Sequence, residues 1–201
     1  MKKYSYLALL MLGASALAGA DLTGRGEVTG HGGGIWLSGG GGTHGLFGGS
    51  AGIVASSKAL VFFDVSYAPL ESANLGLVDP GSGVTVSASG SAKLLDLAGG
   101  IKYSLTRTES RKPDPYVIFA TGVGRASVSG TGTARQGSQT VTVNISESTS
   151  NFAVHGGIGV RLYVGGKWGI QPEFRFGHYF AEGGGGNAAR FTAGVFYQFG
   201  K

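Results

Sequence analysis

Cysteine is absent from the 201 residues, which excludes disulfides, thiolate chemistry and attachment of a lipid to an N-terminal cysteine. Charge is sparse as well, with Asp, Glu, Lys and Arg forming 13% of the chain. No apolar run reaches the roughly 18 to 20 residues that a membrane-spanning helix needs. No stretch carries a convincing 3.6-residue period, so a helical bundle has no support. The formal net charge of +5 falls to +3 without Lys2 and Lys3, too small and scattered a surplus to argue for nucleic acid. No His, Asp or Glu pair has ligand spacing on one strand face, so neither a metal nor a cofactor is expected.

Glycine is present in excess, at 40 of 201 residues, without the period of collagen and without loss of aromatics. Such glycine fits strongly coiled strands, where it relieves crowding at bends or opposite large inward side chains. Gly39 to Gly42 and Gly183 to Gly186 read instead as flexible surface tracts. At the N-terminus, Lys2 and Lys3 precede an apolar run from Tyr6 to Leu12 and a small-residue stretch ending at Ala20. This pattern predicts a cleaved signal peptide over residues 1–20, with a barrel domain over 21–201 and export from the cytoplasm.

The strongest signal is alternation. Phe191, Ala193, Val195, Tyr197 and Phe199 share one parity, Arg190, Thr192 and Gln198 the other. The preceding segment sets Ile170, Pro172, Phe174 and Phe176 against Gln171, Glu173 and Arg175. One apolar face and one charged face, repeated through turn-punctuated segments, predicts strands that meet lipid outside and enclose polar groups within. Eight such segments are expected: 25–37, 46–56, 58–69, 89–105, one from Pro115 towards Arg125, 150–164, and the two just described. That leaves about 22 residues for each strand and its connection, which suits an eight-stranded antiparallel up-and-down barrel. In the fifth segment both parities are apolar, implying a bulge or a buried aromatic plug.

Residues 70–88 and 130–149 read as long polar loops on one side, alternating with tight turns at 56–57 and 165–167. Trp36, Tyr67, Tyr103, Tyr116, Trp168, Phe180 and Tyr197 fall near strand ends, where aromatic girdles form. The predicted interior collects Glu27, Asp64, Asp96 and Glu173 with Lys102, Arg125, Arg161, Arg175 and Arg190. Eight strands enclose a space about wide enough for their own side chains, so a packed, ion-paired interior is expected, with a narrow water path as the alternative.

These features resemble the small OmpA/OmpX-type outer-membrane barrels, a family that includes opacity-like and neisserial-style surface proteins. The resemblance covers about Arg25 to Phe199. It implies residence in the bacterial outer membrane, contact with its lipid, and delivery by the barrel assembly machinery. It also implies that Phe191, Val195, Tyr197 and Phe199 form the terminal assembly signal, although Gly200 and Lys201 follow the terminal aromatic. A monomer is expected. A soluble secreted β-sandwich is the competing fold.

Enzyme motifs carry little weight. Gly48-Gly49-Ser50-Ala51-Gly52 fits a nucleophile elbow and His31-Gly32-Gly33-Gly34 an oxyanion loop. At this glycine content, however, about 0.8 elbows arise by chance. Gly40 to Gly45 matches a dinucleotide fingerprint without a following helix. No histidine opens the His-x-Ser-Asn-Gly motif of lipid A deacylases; His178 with Glu182 nearby lacks a nucleophile. The expected function is therefore non-enzymatic: a structural, adhesin-like surface protein that holds 70–88 and 130–149 outside the cell, with 84–91 and 131–148 able to extend as hairpins, to meet an extracellular ligand. A narrow passive channel and a lipid A-modifying barrel enzyme are the alternatives.

Overall fold

A computed structural model describes residues 24–38, 42–79, 84–106, 113–136, 138–181 and 184–200, with backbone alone at 71–79 and 84–86. The predicted signal peptide lies outside the described residues. Eight strands form one closed barrel: β1 Gly26–Leu37, β2 Thr43–Val54, β3 Ala59–Asp79, β4 Val84–Ser104, β5 Asp114–Gln136, β6 Gln139–Gly165, β7 Trp168–Ala181 and β8 Gly184–Phe199. Each pairs antiparallel with the next, and β1 closes on β8 from Gly26↔Phe199 to Leu37↔Ala188. No helix or cis peptide bond occurs among the described residues.

Alternation decides which face each residue takes. Phe119, Phe174, Phe176, Phe191, Val195 and Ile158 stand exposed on the outside, whereas Asp64, Asp96, Lys102, Glu173, Arg175 and Phe196 are buried inside. Such a wall is stable only against hydrocarbon, since in water it would leave a continuous apolar belt exposed. On β6 the belt runs from Phe152 to Val164. Twelve steps at about 3.3 Å and a tilt of about 40° give roughly 30 Å of height, close to the apolar band of a barrel in lipid.

The fifth strand pairs without interruption on both sides. Its doubled apolar parity therefore reflects a plug, because Tyr116 and Ile118 are buried inside while Val117 and Phe119 face out. Tyr116 accordingly leaves the predicted girdle. The remaining girdle residues flank the belt, with the Trp168 ring tilted against Tyr197 at 4.6 Å and Phe180 near Phe152 at 5.8 Å. Glycine opposite large inward rings is a packing requirement: a Cβ on Gly159 would overlap the Tyr116 ring, and one on Gly169 the Phe196 ring. Gly159→Val should lower stability by about 1–3 kcal/mol, measured as a shift in the urea midpoint.

The predicted loops are the main correction. Residues 70–79, 84–88, 130–136 and 139–149 are strand, and the connections between strands at that end are short. Their Ser, Thr and Gly side chains suggested loop, but the ladder satisfies every strand in this region on at least one side. Gly184 to Gly186 likewise pair with β7 rather than forming a flexible tract. The asymmetry between the two ends thus lies in strand height. At the other end, the tight turn at Gly166 and Lys167 uses a left-handed glycine, Gly166 at φ 55°.

Candidate functional site

Two regions carry polar chemistry: the lumen, and the part of the wall that rises above the apolar belt. The lumen holds two linked ion-pair groups. Nearer the chain termini, Arg161 donates to Glu27 at 2.9 Å and to Asp114 at 3.0 Å, and also to Ser104 at 3.2 Å. Its guanidinium lies 4.7 Å from the Tyr116 ring centre. Tyr116 in turn donates to Glu173 at 3.1 Å, beside Lys102 at 3.4 Å and Arg175. Higher up, Asp64 lies between Arg175 and Arg190, each at 3.5 Å. Asp96 meets Arg190 at 3.4 Å, His155 at 3.6 Å and the Tyr179 hydroxyl at 3.2 Å.

The structure thus brings together Asp64, Asp96, Lys102, Arg161, Glu173, Arg175 and Arg190, with Glu27 beside them. Arg125 is not among them. Parity in β5 is set by Tyr116, Ile118 and Ala120 pointing inward, which puts the odd-numbered Arg125 on the outer face. There it is exposed and donates to Ser148 at 3.1 Å. Asp114, one residue before the expected start of the fifth strand at Pro115, is a buried acceptor at the foot of β5. Ser66 and Ser104, which alternation puts on the same faces as Asp64 and Lys102, are buried beside them.

A Ser, His and Asp do meet, but in the wrong order for catalysis. Ser66 donates to Asp64 at 2.8 Å and lies 3.2 Å from His31, so the serine and not the histidine occupies the middle. It is also buried at 1% exposure, closed to any acyl substrate. The elbow-like Gly48 to Gly52 lies inside β2, with no strand-turn-helix context. His178 sits on the outer wall, within 2.7 Å of Asn187 and edge-on to Phe180; Glu182 lies outside the described residues. No metal-binding cluster occurs among the described residues.

Above the belt, β3, β4, β5 and β6 continue without the other four strands. The β2–β3 ladder ends at Phe47↔Tyr67 and the β6–β7 ladder at Phe152↔Phe180. β3 pairs with β4 as far as Asp79↔Val84, and β5 with β6 as far as Gln136↔Gln139. The result is a four-stranded sheet standing over one side of the mouth. At the same tilt, Gln139 to Asn151 adds about another 30 Å of height.

The two faces of this sheet exchange character as it leaves the belt. Outward rows in the belt are apolar, such as Val65, Leu97, Val123 and Phe152. Above them come Lys93, Ser127 and Ser148, then Ser91, Ser129 and Ser146, then Ser89, Thr131 and Asn144. Ser91 and Ser129 hydroxyls lie 3.1 Å apart, and Thr131 donates to Asn144 at 3.1 Å. Gly90 pairs with Gly130 within this stretch, and a shallow open depression there is lined by Ser89, Ser91, Ser129, Thr131, Asn144 and Ile145. Inward parity changes oppositely. The charged Asp96 and His155 give way to Val128, Val141, Val143 and Ile145, all about half exposed or more. An apolar patch at the mouth, Ile35, Leu46, Ala68, Leu94 and Ala188, leads into this inner face.

A closed eight-stranded ring with an apolar wall and a charged, filled interior defines an integral outer-membrane barrel. The chain belongs to the family described as outer membrane protein beta-barrel domain, whose model matches residues 5–199, and it resides in the bacterial outer membrane. No curated protein matches the sequence. Among solved structures it is similar to neisserial surface protein A, with 14% identity over 87% of this chain and 96% of that one and a TM-score of 0.57. Ail, the attachment invasion locus protein of Yersinia pestis, matches at 14% identity over 89% and 100% of the two chains, with a TM-score of 0.51. OprG of Pseudomonas aeruginosa matches at 10% identity over 90% and 99%, with a TM-score of 0.50. At these identities the likeness is one of fold.

Proposed function

We infer that the protein is a non-enzymatic surface-interaction barrel, whose belt anchors the four-stranded sheet as an adhesin-like platform outside the cell. The observation that carries this reading is the continuation of β3 to β6 far above the belt, with an ordered hydroxyl face and an apolar face both open to partners. Ail is by its name an attachment and invasion protein, which agrees with this reading. A filled interior weighs against the channel alternative, since Tyr116, Phe62 and Phe196 are buried across it among paired charges. The outward apolar residues Phe191, Val195, Tyr197 and Phe199 on β8 fit a role as the assembly signal.

Deletion of residues 131–149 tests the platform. The shortened barrel should still resist SDS until boiled and then change gel mobility, while adherence of cells displaying it falls to the background of cells lacking the protein. A deletion that unfolds the barrel, or that leaves adherence unchanged, refutes the anchorage reading.

A further inference from the structure

We propose that the barrel rim at the end opposite the projecting sheet is a docking surface for anionic phospholipid headgroups, which it meets through Arg25, Lys58 and Lys167. The inference depends on the lipid-facing belt and not on the surface-interaction reading. The positive surplus of the chain is scattered in sequence but gathered in space. At the end where β1 starts and β2, β4, β6 and β8 stop, Arg25, Lys58 and Lys167 are the charged side chains that reach the surface among the described residues, and all are cationic. Glu27 and Asp114, the carboxylates nearest this end, are buried and held by Arg161. The connection from β4 to β5 returns to the same end, and its sequence sets Arg107, Arg111 and Lys112 against the single Glu109.

The far end lacks this bias. There Lys93, Arg125 and Arg135 share the strands and connections with Glu71, Asp79, Glu147 and Glu182. In the lumen each of Lys102, Arg161, Arg175 and Arg190 meets a carboxylate, whereas Lys58 and Lys167 join no ion pair among the described residues. Their charge is left for a partner.

Their place on the circumference specifies lipid. The Lys58 ammonium lies 6.0 Å from the centre of the Tyr103 ring, which is exposed on the outer wall. Lys167 donates to the Gly200 carbonyl at 3.1 Å and precedes Trp168, whose exposed ring is tilted against Tyr197. Arg25 precedes Gly26, where a Cβ would overlap the ring of the outward Phe199. Aromatic residues of this kind sit at headgroup height, so cations beside them meet lipid phosphate. A zwitterionic headgroup cancels its phosphate with its own ammonium, while phosphatidylglycerol leaves the negative charge uncompensated. The rim therefore selects headgroups by net charge.

The test reads each end through its own tryptophan, since Trp36 and Trp168 are the two in the chain and lie at opposite ends of the wall. Trp36→Phe leaves Trp168 as the reporter of the cationic rim, and Trp168→Phe leaves Trp36 as the control. The full-length barrel is reconstituted in phosphatidylcholine vesicles containing a small fraction of brominated phosphatidylglycerol or of brominated phosphatidylcholine. Both leaflets carry the probe, so the direction of insertion does not matter. Quenching of Trp168 should report phosphatidylglycerol enriched about fivefold over its bulk fraction, the gain of one cation at an anionic headgroup. Trp36 should be quenched equally by the two lipids. Arg25→Gln/Lys58→Gln/Lys167→Gln should bring the enrichment at Trp168 below about twofold, as should salt near about 1 M, where screening acts within about 3 Å. Lys93→Gln/Arg125→Gln at the far end should leave it unchanged, and heat-dependent gel mobility checks that every variant is folded. Equal quenching of Trp168 by both lipids, equal enrichment at Trp36, or enrichment that survives the triple substitution overturns the proposal. Saturable binding of polyglutamate to the barrel in detergent micelles, without phosphatidylglycerol enrichment in vesicles, also overturns it, by making an acidic polymer the partner.

Discussion

Glu173→Gln is expected to destabilise the barrel by about 3–5 kcal/mol, the cost of leaving a buried cation without its partner. Glu173 accepts from Tyr116, contacts Arg175 and lies 3.4 Å from the Lys102 ammonium. Lys102 itself is 1% exposed. Its ammonium makes no hydrogen bond among the described residues, and the Phe62 and Tyr116 ring centres at 5.2 and 5.5 Å add only a weak cation–π contact. Neutralising Glu173 therefore strands a fully desolvated charge. Lys102→Met should cost less, because the carboxylate keeps Arg175 and the tyrosine hydroxyl, and methionine fills the space between the two rings. The Lys102→Met/Glu173→Gln double variant should be more stable than Glu173→Gln alone, giving a measurable coupling. Urea unfolding in lipid vesicles, followed by the fluorescence of Trp36 and Trp168, measures all three. If Glu173→Gln costs under about 1 kcal/mol, the lumen is hydrated well enough to screen the lysine, and the filled interior is wrong.

The belt and most of the lumen were legible in the sequence because both follow from a period of two. Once Phe174 and Phe176 must face lipid, Glu173 and Arg175 must face in, and the same reasoning places Asp64, Asp96, Lys102, Arg161 and Arg190. It failed for Arg125 because β5 is apolar on both parities near its start, so hydrophobicity alone could not fix the phase. Tyr116 was misplaced for the same reason. The ring bulk that sends it inward is accommodated by the missing side chain at Gly159 on the neighbouring strand, a pairing that only the register reveals.

The projecting sheet was hidden by composition, since runs of Ser, Thr and Gly look like loop whether or not they pair. A sharper signal was nevertheless present in β6. Val141, Val143 and Ile145 are odd-numbered, whereas Phe152, Val154 and Ile158 are even-numbered, and the ladder between them contains no bulge. An apolar parity that flips within one uninterrupted strand means that the strand crosses from lipid into water and turns its oily face from the membrane to its own concave side. Ser148 and Ser150 lie at the crossing, beside Arg125.

That crossing leads to the second large effect, a depth-dependent penalty for arginine along the outer face of β5. Phe119 is 65% exposed and sits within the belt between Ile101 and Gly156 on the adjacent strands. Phe119→Arg should cost about 2–4 kcal/mol, the penalty of a cation near the bilayer midplane. Val123→Arg, one belt row below the native Arg125, should cost about 0–1 kcal/mol, as near an interface. Ser127→Arg and Ser129→Arg, on the hydroxyl face, should cost almost nothing. The ordering follows from solvent alone, because all four side chains point outward from the same strand and none enters the lumen. Unfolding in vesicles of fixed composition should therefore give a profile that falls steeply between Phe119 and Arg125 and stays flat above. A penalty at Ser129 as large as that at Phe119 would place the upper sheet in hydrocarbon and remove the platform. A flat profile throughout would mean that the apolar wall does not face lipid at all.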